Sequence, residues 1–378
     1  MHYDDLLSAV ALEGERAVLR FRARYAPAGG DGARIYPPTY PADRGSPYVI
    51  EKRCVDGALR EDVLLDSVPS QANRAEEALL RARRQGRIEV PLLEIDHQGA
   101  VPLRLSSLEF PHRYADAYLM DSLLDGVRFD QSELGRSFLA ASNEDASALL
   151  RHDPGSLVFG AWNSHRKGRQ AKFPRVYTSE VVGWDPQIGE RKAGRMDPLN
   201  LTGAGSRDKD GGLMFVPAGE KVKGQKLSEI GHGNIAPNSA HGGVTVSSAE
   251  RIGSLSLAGL DRLGFGSVPR EAALAARAWL AAYALVADRL AFGGSSLWLR
   301  SGCELVTVSD TVEWVSRGGG TGPLHLNVAD AIELYATASV AAERSGLGIA
   351  MQAVRLTPST GLQAAIDFAL TKADTAGE

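Results

Sequence analysis

The final third of the chain alternates short apolar segments with long helical segments, and this alternation restricts the fold more than any other sequence feature. Short runs of apolar and β-branched residues predict strands, and the longer alanine-rich segments predict helices. In order, the predicted elements are strand 244–257, helix 269–292, strands 295–300 and 304–308, helix 328–344 and strand 347–356. The sequence therefore predicts an α+β fold in which strands and helices alternate.

An alternating segment near the amino terminus adds a second constraint. Residues 17–25 place apolar side chains at every second position and arginines between them, which is the period of a strand with one buried face. This strand can take an edge or a central position in the sheet of the C-terminal elements. Their β-α-β-β-α-β order is that of a ferredoxin-like or RRM-like core. The apolar positions are Leu19, Phe21, Ala23 and Tyr25, and the basic ones are Arg20, Arg22 and Arg24.

Capping and turn residues organise the first half of the chain. A helix is predicted over 69–84, because Ser67 or Ser70 can cap its start and arginines occupy its last turn. A second helix is expected over 111–124, since proline at position 111 suits a first helical turn. The other expected elements are strands 48–53, 62–65, 156–162 and 176–184 and a final helix 361–372.

The chain of 378 residues contains no internal repeat and no linker that divides it, so a single domain over residues 1–378 is predicted. Residues 189–243 are rich in Gly, Lys, Asp and Asn and have weak periodicity. We expect this segment to be either a mobile insertion or an extended arm that becomes ordered on a partner.

The formal net charge of −4 conceals a basic region. Residues 162–232 contain 13 Lys and Arg against 8 Asp and Glu, a net charge of +5, which leaves 29 against 38, or −9, elsewhere. No stretch reaches the roughly 20 apolar residues of a membrane span, and the first residues do not form a basic and then apolar leader. The two cysteines, Cys54 and Cys303, suit a reducing compartment. We therefore expect a cytoplasmic protein with no membrane partner.

Motifs of several large enzyme classes are missing from the sequence. It contains no Gly-x-x-x-x-Gly-Lys-Ser/Thr loop, no Gly-x-Ser-x-Gly elbow and no His-Glu-x-x-His helix. His232 and His241 lie in a Gly/Asn-rich stretch without further ligands at a metal-binding spacing, so surface histidines beside turn glycines are the favoured interpretation. We expect no metal and no cofactor.

The segment 165–175, HRKGRQAKFPR, is the strongest chemical signal, because it carries five positive charges and no acid. Such charges can neutralise phosphates, and Trp162, Phe173 and Tyr177 offer faces on which bases can stack. A solvated loop with aromatic residues in the core is an equally good interpretation from composition alone. The five basic residues are Arg166, Lys167, Arg169, Lys172 and Arg175.

Two predicted helix starts carry further polar groups that can meet an anion, since free backbone N–H groups lie at such ends. Helix caps and solvated side chains are the favoured alternative for both sets. The first set is Gln71, Asn73 and Arg74, and the second is His112 and Arg113.

Nine segments, in order along the chain, together resemble one family. They are YPPTYP (36–41), YVIEKR (48–53), LLDSVPSQANRAEEAL (64–79), SLEFPHRYADA (107–117), SLVFGAWNSHRKG (156–168), YTSEVVGWD (177–185), MDPLN (196–200), SAHGGVT (239–245) and LWLRSGCELV (297–306). The sequence resembles the CRISPR-associated RAMP superfamily, and within it the Cas-seven-type backbone subunit of type I-G (formerly I-U) Cascade complexes.

The resemblance implies a modified RRM core with large insertions, the RAMP fold. It also implies a non-catalytic role in antiviral defence, in which several copies bind one CRISPR RNA by its backbone and present its bases to target DNA. Other copies of the chain and other Cascade subunits are the implied partners, and residues 189–243 are the candidate thumb. The implied RNA contacts are Trp162, the five basic residues of 165–175, Gln71, Asn73, Arg74, His112 and Arg113, with Gly242 and Gly243 permitting close approach of RNA to the backbone.

Two alternatives remain at this point. The first is a RAMP endoribonuclease that processes precursor CRISPR RNA, with His232 or His241 as general acid or base. The second is a cytosolic scaffold that binds no RNA.

Overall fold

A computed structural model describes residues 1–376 except 12–13, 42–45, 100, 164–170, 191–193, 195, 200, 202, 218–223 and 233–241, and gives only the backbone of 372–376. The α-helices are α1 (Tyr3–Val10), α2 (Val68–Arg84), α3 (Ala117–Met120), α4 (Glu133–Ala140), α5 (Ser147–His152), α6 (Pro154–Val158), α7 (Leu257–Asp261), α8 (Arg270–Phe292), α9 (Val328–Arg344) and α10 (Thr360–Ala376). Short 3-10 helices occur at Arg113–Ala115, Phe129–Gln131 and Leu227–Ile230. None of the helices in the described part of the chain is long and apolar enough to cross a membrane.

The strands are β1 (Arg16–Pro27), β2 (Ile50–Val55), β3 (Ala58–Asp66), β4 (Leu93–His97), β5 (Leu103–Ser106), β6 (Ser122–Leu124), β7 (Val127–Arg128), β8 (Ala161–Trp162), β9 (Lys172–Phe173), β10 (Tyr177–Trp184), β11 (Gln187–Ile188), β12 (Ala204–Arg207), β13 (Leu213–Val216), β14 (Gln225–Lys226), β15 (Val244–Thr245), β16 (Ser248–Ser256), β17 (Ser296–Arg300), β18 (Cys303–Ser316), β19 (Thr321–Leu324) and β20 (Val354–Pro358). Helices and strands are both abundant, which confirms the α+β class.

The main sheet is antiparallel and has the strand order β17-β18-β1-β16-β10-β3-β2, with β19 also paired to β18. The alternating segment forms β1 in the interior of this sheet, between β16 and β18. Leu19 and Phe21 are buried beneath the helices, whereas Arg22 and Arg24 are exposed on the opposite face. The two-residue period therefore predicted the orientation of this strand correctly.

Helix α8 is the centre of the hydrophobic core. It packs against α1, α2 and α9, and nearly all its side chains from Ala275 to Phe292 are buried. Its many alanines let neighbouring elements approach closely, while Trp279 and Tyr283 fill the larger spaces between α8 and α9. A helix buried on nearly every side needs no amphipathic stripe, which explains why most of its residues are apolar.

The C-terminal elements do not all enter one sheet, contrary to their predicted order. Strand β20 leaves the main sheet and joins a second one, of order β5-β4-β20-β6-β7, in which Val354 pairs in parallel with Leu93. The side of β18 away from β1 is already taken by β17 and β19, so no position there is open to β20. Pairing with distant segments decided this placement, which periodicity does not encode.

Two other predictions for the first half were wrong. The helix expected over 111–124 is replaced by a 3-10 turn, the short α3 and strand β6, because Arg113 has a left-handed backbone (φ 51°) and Asp116 caps a new helix start. The strand expected over 156–162 does not form as predicted, because residues 156–158 belong to helix α6, which has proline at position 154 in its first turn. Of that segment, only Ala161 and Trp162 are in a strand.

Residues 189–243 contain a small sheet of order β13-β12-β14 among the positions that are described. Strands β11 and β15 pair on either side of this segment, through Gln187 with Thr245 and Ile188 with Val244. The chain therefore leaves and re-enters the body of the protein at one place, and we call the part between β11 and β15 the arm.

Candidate nucleic-acid interface

A cleft of about 920 Å³ brings together segments that are distant in the sequence. Its walls come from residues 111–113, 160–162 and 172–175, with Asn143 and Arg262 completing the rim. The site therefore unites parts of two predicted groups, the basic segment and the second helix start.

The cleft is cationic. Lys172, Arg175 and Arg262 are exposed, and none of them forms an ion pair with an acid in the described part of the chain. Among the described residues that line the cleft there is His112 but no Asp or Glu. Because unpaired cations attract a polyanion and no acid here repels it, this surface suits a phosphate backbone.

Trp162 gives the cleft an aromatic surface. Strands β8 and β9 pair Trp162 with Lys172, and the Lys172 ammonium lies 4.2 Å from the centre of the indole ring. The side chain of Trp162 remains 51% exposed, so one face of the indole is open to solvent. An exposed indole beside a cation is the arrangement on which a nucleic-acid base can stack.

Glycine at position 160 is required for the two strands to approach. Its φ is 83°, and a Cβ there would lie 2.8 Å from Cγ of Arg175 and 3.1 Å from the carbonyl oxygen of Phe173. Phe173 itself is buried against Tyr114, with ring centres 6.0 Å apart. The basic side chains at 172 and 175 are thus carried on a backbone that packs tightly against residue 160.

Arg166, Lys167 and Arg169 lie outside the described residues, so their predicted RNA contacts remain predictions. The other members of the predicted group, Lys172 and Arg175, line the cleft.

Arg113 lines the cleft but is not available as a surface cation. Its side chain is buried and donates to both carboxylate oxygens of Glu76, at 2.6 and 2.8 Å, and to the Gly160 carbonyl at 2.9 Å. We therefore correct its assignment from an RNA contact to an internal connection. His112, next to it, is exposed and lines the cleft, and its predicted contact with RNA remains a prediction.

The first helix-start group is largely internal as well. Gln71 is fully buried, where its amide donates to Asp66 and accepts from Ser179 and Arg251. Arg74 donates to Asp66 and to the carbonyl oxygen of Leu299 on β17. These two side chains therefore join α2 to the main sheet, in place of the predicted guide contacts.

Asn73 is exposed on α2, and it is not among the residues that line the cleft. Its predicted role as an RNA contact remains a prediction.

Gly242 and Gly243 are buried at the base of the arm, so the expectation that they admit RNA is also corrected. A Cβ on Gly242 would lie 1.8 Å from the Gly189 carbonyl oxygen, and one on Gly243 would lie 2.9 Å from that of Ile35. Gly243 has a φ of 73°, and its N–H donates to the Tyr48 hydroxyl at 2.9 Å. These glycines permit close approach of the protein's own backbone.

Of the two histidines proposed for RNA processing, His232 is described, and it is not among the described residues that line the cleft. His232 lies in the arm after a 3-10 turn, with its N–H donating to the carbonyl of Leu227, and His241 falls outside the described positions. Over the described residues, no group of three or more His, Cys, Asp or Glu side chains is placed to share a metal ion.

Sequence reasoning missed Arg262 and Asn143. Arg262 follows the short helix α7, and Asn143 follows α4, more than a hundred residues away. The Gly264 N–H donates to the Asn143 carbonyl at 2.7 Å, which joins these two loops at the rim. No local pattern connects either residue with the basic segment.

Comparison with known proteins identifies a relationship for part of the chain. Residues 19–187 match the family described as CRISPR-associated protein GSU0053 (Cas_GSU0053). This match covers less than half of the chain and includes the cleft walls at 111–113, 160–162 and 172–175, but not Arg262. A search of curated proteins finds no match. Residues 19–187 of this chain are thus similar to a CRISPR-associated family, the one described as Cas_GSU0053.

Proposed function

We propose that this protein is a non-catalytic RNA-binding subunit of a CRISPR effector complex, the Cas-seven-type backbone subunit of a type I-G Cascade. The observation that carries the proposal is the cleft, in which an exposed tryptophan and three cations converge, with no acid among the described lining residues and no ion pair to a described acid. The match of residues 19–187 to a CRISPR-associated family makes CRISPR RNA the preferred ligand.

The topology of the main sheet supports a modified RRM-like core, the RAMP fold. Strands β1 and β10 run in the same direction with β16 between them, and the chain passes through α2 on the way from one to the other. Strands β16 and β18 likewise enclose β1, and the connection between them contains α8. Two interlocked split β-α-β units of this kind characterise the ferredoxin-like arrangement.

The chemistry of the cleft favours binding of the sugar-phosphate backbone without base reading. Lys172, Arg175 and Arg262 supply charge, which carries no sequence information. Trp162 supplies a stacking surface that accepts any base. A subunit of this kind holds a guide of arbitrary sequence, and bases that are not stacked on the protein remain available for pairing with target DNA.

The arm supports contacts with further partners, namely other copies of this chain and other Cascade subunits. Leu213, Met214 and Phe215 on β13 are about half exposed, and Met196 and Leu199 are 76% and 77% exposed. Exposed apolar side chains concentrated in one segment mark an interaction surface. We therefore assign residues 189–243 as the thumb of this subunit.

A salt titration of RNA binding tests the proposal. The variants Lys172→Ala, Arg175→Ala and Arg262→Ala should each weaken binding of a single-stranded RNA and reduce the slope of log K against log salt by about 0.7. Arg355→Ala, which removes an exposed arginine from β20 in the second sheet, is the matched control and should leave the slope unchanged. Unchanged slopes for all three cleft variants would contradict the assignment.

Incubation of the purified protein with repeat-containing RNA tests the non-catalytic role. We expect the RNA to remain intact, and a defined cut that is lost in His241→Ala or His232→Ala would favour the processing enzyme instead.

A further inference from the structure

Both walls of the cleft are connected to one buried carboxylate. The Arg113 guanidinium donates from Nε and Nη2 to the carboxylate of Glu76 on α2, and from Nη1 to the carbonyl oxygen of Gly160. Residue 113 follows His112 on one wall, and residue 160 precedes strand β8 and Trp162 on the other. A single side chain therefore joins the two walls to the core helix.

The geometry uses the planar fork of arginine. Three of its nitrogens donate at 2.6 to 2.9 Å in two directions, to a carboxylate and to a carbonyl. The guanidinium also lies 5.7 Å from the centre of the Phe159 ring. A lysine ammonium keeps the charge but cannot make a bidentate contact and a second, separate contact with the same fixed geometry.

The backbone at residue 113 is held in a conformation that arginine adopts only at a cost. Its φ of 51° lies in the left-handed region, which costs about 1–3 kcal/mol for a residue other than glycine. The adjacent N–H groups are fixed on both sides, since His112 donates to Asp116 at 2.9 Å and Tyr114 donates to Ser156 at 3.3 Å. The surrounding structure therefore determines where the turn bearing His112 is placed.

We propose that Arg113 is a positioning residue for RNA binding: held by Glu76, it fixes the separation between the His112 turn and strand β8, and so places Trp162 and Lys172 for the RNA strand. Arg113 itself does not contact RNA. This inference rests on the proposed function of the cleft.

A buried ion pair is weak evidence for stability, because removing two charges from water offsets their attraction. Fixed geometry is the better-supported use of such a pair at this place. The Glu76 carboxylate also shares its enclosure with Asp153 and with the Tyr283 hydroxyl, which surround residue 155. Only Arg113 in this group reaches out of the core to the cleft walls.

The test measures binding of a fluorescein-labelled oligouridine of about 16 nucleotides to the full chain at several salt concentrations. Arg113→Lys should weaken binding roughly tenfold at every salt concentration while leaving the salt slope unchanged. The losses of binding free energy caused by Arg113→Lys and by Trp162→Ala should combine less than additively in the double variant. The reason is that Arg113 acts by placing Trp162, so removing Trp162 also removes part of the effect of Arg113→Lys. If Arg113→Lys does not fold, the isosteric variant Glu76→Gln replaces it in both measurements, the salt titration of binding and the combination with Trp162→Ala.

Arg83→Lys is the matched control. Arg83 also lies on α2 and donates to two main-chain carbonyls, those of Val90 and Met351, but it does not line the cleft. Binding by this variant should stay within about twofold of the unmodified protein.

Three results would overturn parts of this account separately. If Arg113→Lys binds the RNA with unchanged affinity, Arg113 is not a positioning residue. A salt slope that falls by about 0.7 in Arg113→Gln, additive with Trp162→Ala, would show that Arg113 contacts phosphate directly. If Lys172→Ala and Arg175→Ala leave affinity and slope unchanged, the proposed function of the cleft itself fails.

Discussion

Arg251, on strand β16 of the main sheet, is fully buried and paired with Asp288. By contrast, Lys172, Arg175 and Arg262 at the cleft are exposed and have no acidic partner among the described residues. Burial alone would raise the pKa of Asp288, but Arg251 and Arg289 together lower it. Burial also raises the pKa of Tyr177, whose hydroxyl donates to Asp288. The charge of Asp288 is thus balanced by Arg251 and Arg289, which the protein itself supplies.

At the cleft, the positive charges are left for a ligand to balance. A cation in water costs little, so nothing in folding requires Lys172, Arg175 or Arg262 to have a partner. The comparison teaches that the basic character of a segment does not locate a binding site by itself. The deciding property is whether the protein has already satisfied the charge.

The largest effect should come from breaking the buried pair. Arg251→Met leaves Asp288 in the core with only Arg289 as a cationic neighbour, so the free energy of unfolding should fall by about 3–5 kcal/mol. Chemical denaturation monitored by circular dichroism measures this loss. Replacing both partners, in Arg251→Met/Asp288→Leu, should recover much of it, and a double variant no more stable than the single one would show that the pair does more than balance charge.

Glu76 is intermediate between the Arg251–Asp288 pair and the cations of the cleft. Its side chain is as buried as that pair, but Arg113 connects it to the cleft wall. Burial outweighs the attraction of Arg113 and raises its pKa to about 7, compared with about 4.3 in an unfolded chain. The folded protein therefore holds this proton more tightly, so the contribution of Glu76 to stability is complete below about pH 4.3 and is lost as the pH rises to about 7. Glu76→Gln has no such proton to lose.

Relative to the unmodified protein, Glu76→Gln should therefore gain stability with rising pH, by about 1.4 kcal/mol per pH unit between those limits. Unfolding free energies of both proteins across this range measure the difference. A difference that does not change with pH would show that Glu76 stays ionised throughout.

The smallest effect on stability should come from the cleft. The triple variant Lys172→Ala/Arg175→Ala/Arg262→Ala should change the free energy of unfolding by no more than about 0.5 kcal/mol, although it should reduce the salt slope of RNA binding by about 2. Together, the free energy of unfolding and the salt slope of this variant can be compared with Arg251→Met, for which the expected effect is a loss of stability. A large loss of stability would mean that these cations are structural as well.

Local patterns predicted local structure well. The alternation of Leu19 and Phe21 with arginines identified β1 and its buried face, and the serine at 67 accepts a hydrogen bond from the Ser70 N–H at the start of α2, as one of the two predicted caps. The failures at 111–124 and 156–162 have a tertiary cause. The turn at Arg113 is stabilised by hydrogen bonds to Glu76 and Ser156. Both residues are distant from residue 113 in the sequence, so a local pattern does not reveal them.

The residues of the cleft were predicted only in part, because the sequence does not show which side chains have partners in distant segments. The basic segment selected from composition contributes Lys172 and Arg175 to the walls of the cleft. Gln71 and Arg113 were selected as polar groups at two predicted helix starts, but the fold brings Asp66, Arg251 and Glu76 to them as internal partners. Neither line of sequence reasoning selected Arg262, which reaches the cleft from the end of α7.

The sequence by itself determined the α+β class, the interior alternation of β1, the capped helix α2 and the concentration of positive charge at 165–175, because each depends on residues that are neighbours in the chain. Only the tertiary structure decided which cations are satisfied internally and which face an open cleft. That distinction depends on the positions of carboxylates and carbonyls from distant segments, and burial makes their presence or absence worth several times more than at the surface.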